Sequence, residues 1–256
     1  MLLAIDIGNT NITIGGYDGD DLSFTARMAT DQRRTGDQYA IEIRDILDIN
    51  GYSHTGVEDV IICSVVPIVA RLLIRAFEKL CNIEPMLLGP GIKTGLNIKI
   101  DNPAQLGADL AAGAVGALAI YTMPCIIIDL GTASTISVLG KNGEFLGGAI
   151  AAGINLTREA LMQKTAQLPM VNIDAPKKVI GTNTVDSLKS GLVIGSAAML
   201  DGMISRIEKQ LGMTASLVAT GGLARDVLPC CEREIVLNDT LLLDGLKIIY
   251  KKNKKK

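Results

Sequence analysis

The chain has 256 residues, 48% apolar and 20% charged, with a net charge of −2. That composition is globular rather than disordered, and the length suits one large domain or two of ordinary size. Near-neutral charge, 3% aromatic content and the absence of Trp argue against a nucleic-acid partner or an anionic membrane surface.

The opening stretch "LLAIDIGNTNITIGGY" runs an apolar strand into Asp6, then Gly8-Asn9-Thr10, then a second apolar strand. It lacks a basic region and cleavage site, so a signal peptide is not expected. Strands are predicted at roughly 1–7, 11–17 and 22–28. "GDQYAIEIRDILDIN" places Tyr39, Ile41, Ile43, Ile46 and Leu47 at near-helical spacing. "DVIICSVVP" reads as a strand covered on both faces. Pro67 suits the first turn of the amphipathic helix that follows. A short strand at "PMLLG" and a helix from about Pro103 complete the first half.

Residues 110–128, "LAAGAVGALAIYTMPCIII", carry no charge and approach membrane-spanning length. Pro124 interrupts them, and the β-branched run beyond it reads as a core strand after a buried Ala/Gly-rich helix. The small-residue face of that helix, about 103–121, exceeds what a monomer needs to bury. It is expected to pack against a symmetry mate in a two-fold homodimer.

The order then restarts. "CIIIDLGTASTISVLG" repeats the strand–Asp-X-Gly–strand pattern, with strands expected at 125–130, 134–139 and 144–150. A helix from about Ile154, a long helix over roughly 183–211, strands at "SLVATGG" and "REIVLN", and a closing helix in "DTLLLDGLKIIYKK" follow. The tail "KKNKKK" reads as a solvated, frayed end. The expected fold is α/β, with two ribonuclease H-like halves of mixed sheets, 1–118 and 119–256, and a cleft between them.

Five cysteines without a CxxC pair, and a single His54, argue against a zinc site or a disulfide framework and suit a reducing cytoplasm. The chemistry is expected at the turns. A hairpin closed by Gly-Asn-Thr offers backbone N–H groups and short side chains to phosphoryl oxygens. Asp6 beside it can hold hydrated Mg²⁺, which prefers one or two carboxylates plus phosphates. Asp129 with Gly131-Thr132-Ala133-Ser134 repeats the arrangement, and "VATGGLA" supplies small residues on which a nucleotide can lie. Such turns also occur without function. Neither a P-loop nor a Rossmann glycine fingerprint is present.

In order, "DIGNTN", "SVVP", "DNPAQLGAD", "DLGTAST", "LGGAIAAGI", "QLPMV", "IGTNTVDSLKSG", "ATGGLA" and "LLLDGLKIIY" resemble the type III pantothenate kinases nearly end to end. "DIGNTN", "DLGTAS" and "TGG" are similar to the phosphate and adenosine motifs of the wider actin, sugar kinase and heat-shock ATPase superfamily. The resemblance implies ATP-dependent phosphorylation of pantothenate, the first step of coenzyme A synthesis. It implies ATP binding by Asp6, Ile7, Gly8, Asn9, Thr10, Asn11, Ile12, Thr13 and Thr132, with Asp109 as catalytic base. Asp129 would hold a monovalent cation, K⁺ or NH₄⁺, and Gly107, Ala108, Asp109, Leu110 and Thr184 would line the pantothenate site.

The residues themselves leave alternatives open. Asp109, expected a turn or two inside an apolar helix, either lines a cleft and accepts a hydroxyl proton or faces solvent. Thr184 is a substrate contact or a helix N-cap. Arg33-Arg34 meet phosphate or sit in a solvated loop. The family pattern has Arg where this chain has Leu110, and usually Tyr where it has Ile100. These departures keep two other readings in play: a catalytically weak relative with a regulatory or accessory role, and a kinase for another small alcohol.

Overall fold

The structure, a computed structural model, describes residues 1–254. Lys255 and Lys256 of the basic tail lie outside the described residues. The chain divides into two units. One comprises Met1–Leu96, Asp101–Ala119 and the residues from Thr240 onward; the other comprises Asn97–Ile100 and Ile120–Asp239. The closing helix, grouped by the sequence reading with the C-terminal half, thus packs in the N-terminal unit.

The first unit is built on a sheet of order β3-β2-β1-β4-β5, from β1 (Leu2–Ile7), β2 (Asn11–Asp18), β3 (Asp21–Ala29), β4 (Asp59–Ser64) and β5 (Met86–Leu87). The first three strands form an antiparallel meander, and β4 and β5 add in parallel. Side chains alternate across a strand, so β1 and β4 feed two covers. Leu3, Ile5, Ile7, Val60 and Ile62 pack with α1 (Gly36–Ile49) and α2 (Pro67–Cys81). Ala4, Ile61 and Cys63 join a second cluster with α3 (Ala108–Ile120) and the closing helix (Leu241–Asn253).

Thr35 and Gln38 cap α1 reciprocally, satisfying two end donors. Tyr39, Ile43 and Leu47 are buried at one-turn spacing, whereas Ile41 is 52% exposed. The sequence pattern counts Ile41 with them at near-helical spacing. Two residues from Tyr39 and from Ile43, it points away from their face. Pro67 occupies the first turn of α2, as expected.

The helix expected from Pro103 begins later. Pro103–Gln105 form a single 3₁₀ turn capped by Asn102, and α3 starts at Ala108. Its small residues, from Ala111 to Ala117, are buried. They serve a close crossing inside this unit rather than the symmetry mate that the sequence reading assigned to them. A Cβ on Gly245 of the closing helix would lie 1.9 Å from the Ala112 carbonyl oxygen, and one on Gly116 would lie 2.3 Å from that of Leu241.

Polar contacts fix the closing helix at both ends. The Tyr17 hydroxyl donates to Asp244 Oδ1 at 2.9 Å, the Thr240 hydroxyl donates to Asp244 Oδ2 at 2.9 Å, and Lys247 Nζ donates to the Asp20 carbonyl at 2.7 Å. Lys251 pairs with Asp20, and Lys254 with Asp59 at 2.7 Å. The described part of the tail is therefore an anchored last turn, not a frayed end.

Gly245→Ala is expected to destabilise the fold by about 2 kcal/mol. Helix propensity favours Ala by about 1 kcal/mol, but overpacking against backbone that cannot swing aside costs about 3 kcal/mol. Thermal unfolding checks this, and an unchanged or raised midpoint would contradict the packing described.

The second unit repeats the plan. Its strands are β6 (Cys125–Leu130), β7 (Ala133–Leu139), β8 (Phe145–Ala152), β9 (Ser216–Thr220) and β10 (Val236–Leu237). Read as β8-β7-β6-β9-β10, their order matches the first sheet position by position, with the same antiparallel and parallel pairings. Ile126, Ile128 and Leu130 pack with residues of α4 (Ile154–Lys164) and of a long helical run. That run comprises α5 (Thr184–Lys189), a π segment (Ser190–Ile194) and α6 (Gly195–Leu211). The strand expected over "REIVLN" pairs only at Val236 and Leu237. Among the described residues, no helix is long and apolar enough to cross a membrane.

Candidate active site

Each unit ends its central strand in a carboxylate beside a tight turn. In the first, the Gly8 N–H donates to the Asn11 carbonyl at 3.0 Å, and the Thr30 N–H donates to the Thr10 carbonyl at 3.0 Å. The Thr30 hydroxyl adds a bond to the Gly8 carbonyl at 2.7 Å. In the second, the Gly131 N–H donates to the Ala133 carbonyl at 3.2 Å, and the Gly153 N–H donates to the Thr132 carbonyl at 3.2 Å. In both, the residue after the third strand of the meander ties down the turn's threonine. The duplication thus extends to individual hydrogen bonds.

Within 6–13, Asn9, Thr10 and Asn11 are exposed, Asp6 and Thr13 are half-buried, and Ile7 and Ile12 are buried in the core. Ile7 and Ile12 therefore offer a ligand no side chain. The turn presents hydroxyl and amide groups next to a carboxylate, a donor set that suits phosphate oxygens and a hard cation. Thr132 is likewise exposed at its turn.

Glycines make room for two of the carboxylates. Gly221, directly after β9, has φ +96°, and a Cβ there would lie 2.5 Å from Asp129 Oδ1. Both the backbone conformation and the carboxylate's position demand glycine. A Cβ on Gly107 would lie 2.4 Å from Asp109 Oδ1, and that oxygen accepts the Leu110 N–H at 2.8 Å. Because α3 begins at Ala108, Asp109 stands in its first turn rather than deeper inside. A carboxylate is favoured there by the helix's N-terminal N–H groups.

The first unit brings Asp6 and Asp109 into one neighbourhood. Cys63 pairs in register with Asp6 across β1 and β4, which sets the two side chains side by side on one face of the sheet, and it is fully buried. Burial, followed by the negative charges of Asp6 and Asp109, pushes its thiol well up from the ordinary range. One side chain therefore senses both acids.

Gly107, Ala108, Asp109 and Leu110 lie together at the start of α3. Thr184 is the exposed first residue of α5; the cap is Asn183, whose Oδ1 accepts the Asp186 N–H at 2.9 Å. Ile100 belongs to the second unit, on a segment beside β8 where Asn97 accepts the Phe145 N–H and Lys99 donates to the Phe145 carbonyl, both at 2.8 Å. Arg33 pairs with Asp31 and Arg34 with Glu42. Sequence reasoning missed Cys63 and the partnership of Gly221 with Asp129. Only strand register, which pairs residues far apart in the chain, reveals them.

The paired sheets and their strand-end carboxylates define a duplicated ribonuclease H-like architecture, the actin-like ATPase fold. The chain is similar in fold to the activator of the 2-hydroxyisocaproyl-CoA dehydratase from Clostridium difficile, solved with bound ADPNP. The TM-score is 0.56 over 100% of this chain and 98% of that one, at 15% identity. A family model described as type III pantothenate kinase matches residues 2–206. The type III pantothenate kinase of Halalkalibacterium halodurans is 41% identical over 99% of this chain and 100% of its own. That of an Exiguobacterium species is 40% identical over 100% of each. The chain belongs to the type III pantothenate kinase family.

Proposed function

We propose that this chain phosphorylates the primary alcohol of pantothenate, with ATP and a divalent metal ion, as the first step of coenzyme A synthesis. The observation that carries the reading is the full-length similarity to type III pantothenate kinases; the charges of Asp6 and Asp109 both acting on the buried Cys63 support it. Asp6 and the turn through Thr13 hold the nucleotide phosphates and their Mg²⁺, with Ile7 and Ile12 contributing backbone only. Thr132 adds a further nucleotide contact. Asp109 orients the acceptor hydroxyl and takes its proton; in a loose phosphoryl transfer most of its contribution is positioning. Gly107, Ala108, Leu110 and Thr184 line the acceptor site. Asp129, seated over Gly221, holds a monovalent cation, K⁺ or NH₄⁺.

The protein is further proposed to act as a cytoplasmic homodimer. Free thiols in the core support the compartment; the α3 stripe is occupied within the chain, so a dimer would use another surface. A monomer in sedimentation at micromolar concentration would overturn the dimer.

The deciding experiment measures ADP release from the purified protein with Mg-ATP and pantothenate, in K⁺ and in Na⁺. Pantothenate-dependent release that is faster in K⁺, and loses that preference in Asp129→Asn, is the expected result. Absence of release with pantothenate refutes the reading. Release with a different acceptor from a panel of small alcohols assigns another substrate, and no release with any acceptor points to a regulatory role.

A further inference from the structure

Asp6 has a neighbour on each side in the sheet. In-register residues of adjacent strands share a face, and Asp6 pairs with Thr13 on β2 and with Cys63 on β4. The three side chains therefore form a row across the strand ends. Cys63 is fully buried, and its S–H is the only hydrogen it can offer the Asp6 carboxylate.

The second unit repeats the row. Asp129 pairs with Thr135 on β7 and with Thr220 on β9, and Thr220 is buried at 5% exposure. Where one sheet has a thiol, the other has a hydroxyl. Packing alone does not call for either group, because an aliphatic side chain of the same size would fill the space. What Cys63 and Thr220 share is a donor at the flank of a strand-end carboxylate.

We propose that Cys63 is a positioning residue for phosphoryl transfer: its S–H holds the Asp6 carboxylate in the one orientation that serves the metal–nucleotide complex. Cys63 touches no reacting atom and acts only through Asp6. The inference rests on the reading of Asp6 given above.

The test compares Cys63→Val, which keeps the shape without the donor, with Cys63→Ser, which keeps a donor. Binding of Mg-ADPNP is measured by calorimetry, alongside kcat and both KM values. Losing one such bond weakens binding by about 2–12-fold. Cys63→Val is expected to weaken nucleotide binding by that factor and to raise KM for ATP, with KM for pantothenate unchanged. Cys63→Ser is expected to recover most of the loss.

Equal nucleotide binding by the Val, Ser and native proteins overturns the proposal. So does a parallel rise in both KM values in the Val and Ser variants alike, the mark of a packing role. Should the Val variant fail to fold, Cys63→Ala takes its place in the same comparison. Asp6→Asn separates the two layers. If it weakens Mg-ADPNP binding and Cys63→Val does not, only the role of Cys63 fails; if Asp6→Asn leaves binding intact, the assignment of Asp6 itself fails.

Discussion

Asp109→Asn is expected to slow phosphoryl transfer about 10²–10⁴-fold, the range typical of a lost proton acceptor, while Mg-ADPNP binding stays near that of the native protein. The asymmetry follows from where the residue sits. Asp109 opens α3 with its carboxylate folded over Gly107, whereas the nucleotide turn lies between β1 and β2. The Asn amide retains an oxygen that can accept the Leu110 N–H, so the local fold should survive and the loss should fall on kcat. Single-turnover kinetics with calorimetric nucleotide binding separates the two quantities. Unchanged turnover refutes the base assignment, and lost nucleotide binding moves Asp109 to the phosphate side.

Leu110→Arg is expected to lower the Michaelis constant for pantothenate by about 10–150-fold, without harm to ATP use. Leu110 is half-buried in the first turn of α3, and its N–H bond to Asp109 involves backbone that any residue supplies. Its side chain offers an acceptor no hydrogen-bond donor, whereas Arg presents a planar fork. Pantothenate carries a carboxylate and amide oxygens. A charge-assisted bond to one of them is worth about 1.5–3 kcal/mol, which gives that factor. Steady-state kinetics over a wide pantothenate range checks both forms. Saturation of the native protein at low micromolar pantothenate, or a weaker Arg variant, would show that another residue supplies the donors.

Most of the fold was legible because its signals are local. The Asp-X-Gly turn gave itself away by recurring, and the strands around it fall within two residues of their expected ends. What stayed hidden depends on partners distant in sequence. The Ala/Gly run announces a close approach, but composition does not name the approaching chain, and it suggests a symmetry mate where the closing helix sits. Ile41 shows that near-helical spacing can include an off-face residue. Gly107 was legible as a site residue through resemblance, yet its physical reason, the space taken by the Asp109 carboxylate, needed coordinates. Cys63 read only as one apolar position in "DVIICSVV", because nothing local marks it as the neighbour of a residue 57 positions earlier.

The return of the closing helix to the first unit has a consequence for biosynthesis. Domains generally fold as units while the chain is being made, N-terminal parts first. Here the second unit, apart from Asn97–Ile100, is one uninterrupted stretch that leaves the ribosome whole, whereas the first lacks one of its covers until Leu241–Asn253 emerge. Until Leu241–Asn253 emerge, the face bearing Ala4, Ile61 and Cys63 has α3 but not Leu243, Leu246 and Ile249. The first unit is therefore begun before the second and completed after it. A nascent chain stalled before Thr240 would leave that apolar face open to chaperones and proteases.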